Sequence, residues 1–339
     1  VQYGTAANPL LTIINLKDGV SDIELDWGAL GLSGAGSLAV YGGGLTLKNF
    51  GSQLGRYYNG TIFSEGVLNV NANAQSTGDV SYSYNLGSGS RLYGTSVNFN
   101  AFGNDATLYG TITSTNGDIE INGDNLNVIG SLKSSTAGES THIDGIAKTP
   151  GSSAEITQAT LNDLKNPFPT ISDVYSYEAN GSEEAKKDVV AGSISVDAKG
   201  SAEVLYGNMG EGKIDTQGDF TVSGKDSVYV DSDLHIGGDL NLNSDGEIVL
   251  DLSNMGNIGK DNLHNSFLDH FKNDGTEGKG TIKVGGVENA VNADNFMIAI
   301  DMWDYQNNEF ALDKYDRGDD DTLAGDIDKL KINIGGNDK

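Results

Sequence analysis

A five-residue phrase recurs in the chain and restricts its fold more than any other feature. Each copy is a Gly-Asp or Gly-Glu turn followed by alternating apolar and polar residues. The copies are Gly117-Asp118-Ile119-Glu120-Ile121, Gly218-Asp219-Phe220-Thr221-Val222, Gly238-Asp239-Leu240-Asn241-Leu242 and Gly246-Glu247-Ile248-Val249-Leu250, with an earlier one at Gly78-Asp79-Val80-Ser81-Tyr82. An alternation of period two predicts a short strand with one buried face. Strands this short need stacked neighbours, so the phrase predicts a parallel β-solenoid.

A second phrase predicts the length of one coil. Leu92-Tyr93-Gly94-Thr95 returns as Leu108-Tyr109-Gly110-Thr111, and a β-helix needs a coil of about 16 to 25 residues. We therefore expect Tyr93 and Tyr109 to lie one above the other. The parity of the neighbouring apolar residues places Tyr109 outside, and it places Tyr93 inside unless the chain bends at Gly94. A buried aromatic stack and an exposed aromatic ladder both stay open.

The pattern divides a single solenoid domain, residues 1–339, into rungs and interruptions. Trp27 is predicted to be buried in the first cap, and apolar residues at helical spacing predict helix in two of the interruptions. The predicted segments are an N-terminal cap at 1–36, first rungs at 37–134, a long, partly helical side excursion at 135–192, later rungs at 193–294 with a short helix at 261–273, and a C-terminal cap at 295–339.

Composition excludes several classes of function. The net charge is −27 with three arginines, which argues against nucleic acid and against anionic membrane surfaces as partners. The chain has no cysteine, so disulfides, thiolate metal sites and a cysteine nucleophile are excluded. No stretch approaches the roughly 20 apolar residues of a membrane helix, so we expect no membrane insertion. The chain begins at Val1 without a visible signal peptide, which suggests a mature form or a fragment.

The acidic charge has two interpretations, solubility or calcium binding. Carboxylates are densest in the loop containing Asp313, Asp316, Asp319 and Asp321. This loop lacks the spacing of a calcium-binding loop, so we expect no cofactor, with calcium at these four residues as the alternative. It also contains Arg317-Gly318-Asp319, a match to an integrin-recognition tripeptide that is too short to carry a prediction.

One group of residues is compatible with catalysis. β-Helical polysaccharide hydrolases need carboxylates on one face, and Asp231 and Asp233 lie near His235. Aspartate is also a normal turn former, so we expect solvated turn residues here, with catalysis as the alternative. Phosphate-binding glycine loops and nucleophile-elbow patterns are absent from the sequence.

The repeats resemble those of bacterial surface adhesins. Gly218-Asp219-Phe220-Thr221-Val222 and His235-Ile236-Gly237-Gly238-Asp239-Leu240-Asn241-Leu242 are similar to the rungs of filamentous-haemagglutinin-like proteins. This resemblance covers about half of the chain and implies export, a right-handed parallel β-helix and attachment to surfaces. A β-helix with one long side loop also looks like the tapirins, which adhere to cellulose, although only the architecture carries that similarity.

We therefore expect a non-catalytic adhesin on the bacterial cell surface. Its partner would be a polysaccharide, such as a plant cell-wall glycan, or another surface. A β-helical lyase or hydrolase and a structural surface-layer or filament module are the alternatives. Aromatic rings stack on sugar faces, so the predicted ligand-binding residues are Tyr57, Tyr58, Tyr93, Tyr109, Tyr175 and Tyr177. We expect a local function to lie beside the interruptions of the repeat.

Overall fold

The computed structural model describes the rungs of the chain and parts of its ends. The described residues are 2–4, 9–14, 22–30, 32, 35–51, 57–72, 85–101, 103–115, 117–134, 192–207, 212–253, 270–271, 280–288, 293–299, 303–304, 309–310 and 330–338. Three sheets of mainly parallel strands run through them. The prediction of a parallel β-solenoid is confirmed.

Sheet A has nine strands within the described residues. All its neighbouring strands are parallel except the first pair, which is antiparallel. The strands are β1 (Gln2–Gly4), β2 (Pro9–Ile14), β4 (Ser37–Tyr41), β6 (Thr61–Ser64), β8 (Arg91–Gly94), β11 (Thr111–Ser114), β14 (Ser131–Lys133), β17 (Lys213–Thr216) and β20 (Asp233–Ile236).

Sheet B has eleven strands within the described residues and is parallel up to its last pair. Its strands are β3 (Asp22–Asp26), β5 (Gly44–Lys48), β7 (Leu68–Asn71), β9 (Val97–Ala101), β12 (Ile119–Gly123), β15 (Ile194–Ala198), β18 (Phe220–Gly224), β21 (Leu240–Asn243), β23 (Ile282–Gly285), β27 (Ile332–Ile334) and β28 (Asn337–Asp338).

Sheet C has six described strands, all parallel. Single bridges from Tyr58 to Leu86 and from Leu86 to Leu108 extend it toward the N-terminus. Its strands are β10 (Ala106–Leu108), β13 (Leu126–Val128), β16 (Ser201–Leu205), β19 (Ser227–Asp231), β22 (Glu247–Asp251) and β24 (Phe296–Ala299). Outside the three sheets, β25 (Trp303–Asp304) pairs antiparallel with β26 (Glu309–Phe310), and short 3-10 turns lie at Gly28–Leu30 and Ala293–Asn295.

Each coil passes through sheets A, B and C in turn. After β11, β12 and β13 the chain returns to sheet A at β14, where Ser131 pairs with Thr111. Successive coils are about 4.8 Å apart, the ordinary spacing of paired strands. Residues at equivalent positions therefore form columns that run along the solenoid, and every column faces either the interior or the solvent side of its sheet.

The interior columns are apolar along the solenoid. One column of sheet B is almost entirely aliphatic and contains a single aromatic residue, Phe220, which is fully buried. Burial of each such side chain contributes roughly 1.5–3 kcal/mol, so the core is the main source of stability. The residues of this column are Ile23, Leu45, Leu68, Val97, Ile119, Ile194, Phe220, Leu240, Ile282 and Ile332.

Aromatic rings fill the interior near the N-terminal end. Trp27 is 8% exposed, and its ring centroid lies 5.0 Å from that of Phe50 and 5.3 Å from that of Tyr58. Phe50 also contacts Phe99, with the centroids 6.2 Å apart. The predicted burial of Trp27 against the first coils is confirmed.

Aspartate side chains hold the coils together where the chain enters sheet B. Asp118 Oδ1 accepts a hydrogen bond from the backbone N–H of Ser193 at 2.7 Å. Asp219 Oδ1 accepts one from Asp239 N–H, and Asp239 Oδ1 accepts one from Thr281 N–H, both at 2.8 Å. In these three copies of the phrase the aspartate therefore bonds to the next coil, which gives the Gly-Asp turn a structural role; the copy at 78–82 lies outside the described residues.

Glycine is required at some corners because successive coils approach closely. A Cβ atom on Gly130 would lie 1.8 Å from the carbonyl oxygen of Gly110, and one on Gly246 would lie 1.8 Å from that of Asp226. Both distances are far below van der Waals contact. A side chain at either corner would force the two coils apart.

The side excursion interrupts the sequence but not the stack. Residues 135–191 lie outside the described residues, and nothing in the described part supports the predicted helical character. Across this gap β12 pairs with β15 and β14 pairs with β17. The two ends of the gap meet, because Ser134 Oγ donates to Gly192 O at 3.1 Å and Thr216 Oγ1 donates to the same oxygen at 2.7 Å.

The predicted helix at 261–273 also lies outside the described residues, except for two of them. Phe271 is fully buried in the core cluster. His270 Nε2 lies 2.8 Å from the carbonyl oxygen of Gly238 and 3.2 Å from the backbone nitrogen of Gly280. These two residues therefore pack against the late coils.

The corner aspartate Asp239 makes stability depend on pH. Burial acts to raise the pKa of Asp239, but the hydrogen bonds from Lys283 and Thr281 outweigh it and lower that pKa. The stabilisation is thus present above the unfolded pKa of about 3.9 and is lost as the pH falls through the folded value. We predict that Asp239→Asn lowers the free energy of unfolding by about 1 kcal/mol at pH 7, and that in urea melts this difference shrinks as the pH falls below about 3.9.

Asp219→Asn is the matched control for that prediction. Asp219 accepts the same kind of backbone hydrogen bond, but no ion pair joins it to a lysine among the described residues. Its variant should differ less from the wild type at pH 7. An Asp239→Asn deficit that is the same size at pH 3 and pH 7 would rule out the ionic origin.

Candidate ligand-binding face

Two of the six predicted tyrosines meet on the outer side of sheet C. Tyr58 and Leu108 point into the core, so their neighbours Tyr57 and Tyr109 point outward. Their ring centroids are 5.8 Å apart, with an angle of 67° between the ring planes. Tyr57 is 40% exposed and Tyr109 is half-buried. The pair therefore presents an accessible aromatic surface.

Tyr58 belongs to the core instead. It is 2% exposed, its ring packs against Trp27 and Phe50, and its hydroxyl donates to Gly36 O at 2.7 Å. Burial raises the pKa of Tyr58 far above its ordinary value. Its burial excludes it from a ligand site on the surface.

Tyr93 lies on a different sheet from Tyr109, so the predicted stack of these two residues is wrong. Tyr93 is in β8 of sheet A and pairs with Phe63 and Thr113 in the neighbouring coils. The chain turns between β8 and β9, so the parity of the apolar residues in β9 does not apply to Tyr93. Tyr93 faces outward from sheet A, yet it is only 7% exposed. The similar phrases around Tyr93 and Tyr109 occupy different corners of the coil.

The other predicted site residues lie outside the described residues. These are Tyr175 and Tyr177 in the excursion and Asp313, Asp316, Asp319 and Asp321 in the acidic loop. They stay predictions. Within the described residues, no group of three histidine, aspartate or glutamate side chains is arranged to hold a metal ion.

Sheet C extends the tyrosine pair into a longer apolar run. Its pairing places Ile129, which is only 8% exposed, one coil beyond Tyr109, and the half-buried Leu205 one coil beyond Ile129. Asp231 pairs with Leu205, and Asp251 follows in the next coil. This column passes from aromatic to aliphatic to acidic residues over five coils. The sequence pattern did not predict Ile129 and Leu205 as residues of this face, although both immediately follow an inward-facing valine.

The outward column next to this one contains another tyrosine, Tyr229. Glu203 pairs with Tyr229, which is followed by Val249 and Met297. The Tyr229 hydroxyl donates to Asp251 Oδ2 at 2.9 Å. Burial, and then this hydrogen bond, raise the pKa of Tyr229 well above its ordinary value. Tyr229 therefore remains a neutral hydrogen-bond donor at physiological pH and links the two columns.

The residues proposed for hydrolysis are divided between two faces. Asp231 is on the outer side of sheet C, whereas Asp233 and His235 are on the outer side of sheet A, beyond the corner at Ser232. His235 Nε2 lies 3.1 Å from Asp233 Oδ1. Asp215 pairs with His235 and is 9% exposed. Burial raises the pKa of Asp215, while the nearby His235 and lysines oppose that rise.

The outer side of sheet B is polar and bonded from coil to coil. Asn98 Nδ2 donates to Asn69 Oδ1 at 2.7 Å, and Asn69 Nδ2 donates to Thr46 Oγ1 at 3.2 Å. A second ladder runs from Asn122 to Asn100 and on to Asn71, with both bonds 2.9 Å long. Each of these amides is hydrogen-bonded to side chains in the adjacent coils, so the two ladders stabilise the stack. They present no aromatic ring to a ligand.

Comparison with known proteins adds no further assignment. No protein family, curated protein or solved structure matches the chain. Among the described residues, no helix is long and apolar enough to cross a lipid bilayer.

The adjacent residues Tyr57 and Tyr58 provide a direct check on this assignment of faces. We predict that Tyr58→Ala lowers the free energy of unfolding by about 3–5 kcal/mol, because loss of the ring leaves a cavity beside Trp27 and Phe50. Tyr57→Ala should change it by less than about 1 kcal/mol because the side chain is exposed. Chemical denaturation of the two variants measures both values. Equal losses would show that Tyr57 also belongs to the core.

Proposed function

We propose that the protein is a non-catalytic adhesin of the bacterial cell surface that binds a polysaccharide through the outer side of sheet C. The observation that carries the proposal is the pair of accessible rings, Tyr57 and Tyr109, on a regular flank. Sugar rings have apolar faces that pack against tyrosine, while their hydroxyls hydrogen-bond to polar groups beside the ring.

The shape of the surface suits a polymer more than a small molecule. Outward residues of sheet C repeat about every 4.8 Å along the solenoid, so a chain lying along that axis meets several coils in succession. Each contact is weak, but contacts along one polymer add to a much higher apparent affinity. A plant cell-wall glycan such as cellulose remains the favoured type of ligand, and the proposal requires no cofactor.

The geometry favours binding over hydrolysis. A glycosidase places two carboxyl groups on either side of one glycosidic bond. Asp231 faces outward from sheet C and Asp233 from sheet A, so these two carboxylates do not flank a common bond. Neither residue serves as a catalytic acid in the proposed function.

A retention assay on insoluble polysaccharides tests the proposal. We predict that the wild type is retained on at least one neutral glycan without release of sugar. Tyr57→Ala and Tyr109→Ala should each weaken retention about threefold to tenfold, because each removes one stacking ring. Tyr57→Phe is the matched control, since it keeps the ring and should keep retention.

Two outcomes would contradict the proposal. Retention that is the same for the wild type and both alanine variants would remove sheet C from the binding surface. Sugar release that stops in Asp231→Asn would support the enzymatic alternative.

A further inference from the structure

We propose that the side excursion, residues 135–191, packs over the outer side of sheet A and is the intramolecular partner of that face. The proposal concerns a different face from the one proposed to bind a glycan, and it does not depend on that function. Its basis is a column of outward side chains in sheet A that are buried although they do not belong to the solenoid core.

This column is shielded from solvent over most of its length. Its first five members are at most 7% exposed, and Phe63 is fully buried. Its apolar members are absent from the core cluster, which contains their inward neighbours such as Ile62 and Leu92. We call it the covered column, and it consists of Thr12, Ala39, Phe63, Tyr93, Thr113, Lys133, Asp215 and His235.

Neighbouring strands do not account for this burial. Phe63 pairs with Ala39 and Tyr93, and its ring centroid lies 5.1 Å from that of Tyr41. These contacts close the sides of the ring, but a side chain that stands upright on a sheet is open at its tip unless another segment lies over it. The other outward column of the same described strands has no buried member, and it consists of Ser37, Thr61, Arg91, Thr111, Ser131, Lys213 and Asp233.

The covering segment reaches the column from the corner between sheets A and B. The chain runs from sheet A into sheet B, so Phe63 lies nearer that corner than Thr61 does in the same strand. The column nearer the corner is thus the buried one. Two stretches of more than one residue outside the described residues begin at this corner, residues 15–21 after β2 and residues 135–191 after β14.

Length decides between these two stretches. A chain spans at most about 3.6 Å per residue, so a loop at 15–21 that is closed at both ends extends no more than about 14 Å. Thr113 is in β11, four coil intervals from β2 in sheet A, or about 19 Å away. Thr113 is nevertheless only 1% exposed. Residues 15–21 are therefore too short to cover the column as far as Thr113.

The excursion has the length, the origin and the composition that a cover requires. Residues 135–191 are 57 residues long, enough to run along the column to β4 and return. Both ends are fixed at the corner, because Ser134 Oγ donates to Gly192 O at 3.1 Å. The excursion also supplies apolar side chains, among them Ile156, Leu161 and Phe168. Sheet A is then closed to external ligands.

Cysteine labelling of the full chain tests whether the column is covered. The chain has no cysteine, so a single introduced thiol reports on one position. We predict that Thr113→Cys reacts with a maleimide at least about tenfold more slowly than Thr111→Cys, because only the first thiol is shielded. Thr111 is the matched control, since it lies two positions earlier in the same strand and is half-buried. In urea the two rates should be equal.

Cross-linking identifies the segment that covers the column. A benzophenone attached to Thr111→Cys lies beside the covered column, and after irradiation and proteolysis we expect its cross-links to fall within residues 135–191. The same probe on Thr107→Cys, a half-buried position on sheet C, should give no cross-link to that segment. Melting temperatures of the variants verify that the fold is intact.

Three outcomes would overturn the proposal. Equal labelling of Thr113→Cys and Thr111→Cys in the folded protein would show that the column is open. Cross-links from Thr111→Cys that fall only on residues 15–21 would assign the cover to the shorter stretch. Cross-links between two copies of the chain would make the face a dimer interface. Each of these results leaves glycan binding by sheet C unaffected, because Tyr57 and Tyr109 lie on another face.

Discussion

The register between successive coils is the constraint on which the rest of the structure depends. Backbone hydrogen bonds alone would allow a coil to slip along its neighbour, and a slip of one residue would turn every inward side chain outward. The aspartates at the entry to sheet B oppose such a slip, because Asp219 bonds to Asp239 N–H and Asp239 to Thr281 N–H. A large part of the acidity along the coils is therefore structural.

A fixed register makes every outward position part of a column, and the chemistry of each column then follows from its composition. On sheet B, amides above amides form hydrogen bonds such as that from Asn98 to Asn69, so the column adds stability. On sheet C, Asp231 and Asp251 follow each other in one column, and Tyr229 donates a hydrogen bond to Asp251. The contribution of each column to stability therefore depends on which residues follow one another along it.

The sequence allowed the rungs to be predicted because their signals are local. The alternation in Gly238-Asp239-Leu240-Asn241-Leu242 matches strand β21, with Leu240 and Leu242 buried. Parity placed Tyr109 outside, as the structure has it, whereas the facing of Tyr93 was not predictable, since parity is lost wherever the chain turns from one sheet to another. The same corner effect separates Asp231 from Asp233, which are only two positions apart but face different directions. The angle of a corner depends on how the coils pack, so the local sequence pattern does not predict it.

The location of the candidate site has a physical reason. Interruptions of the repeat were expected to carry the function, yet the accessible aromatic pair lies within the first rungs, predicted at 37–134. A loop can hold a small ligand, but a long polymer needs contacts at successive positions along a line. The columns provide that line, and their composition is free to vary because the core and the corner aspartates already determine the fold. Tyr57 and Tyr109 are an example of this freedom. Tyr57 precedes the inward residue Tyr58 and Tyr109 follows the inward residue Leu108, and these two inward residues are linked through Leu86. The outward rings meet without disturbing the stack.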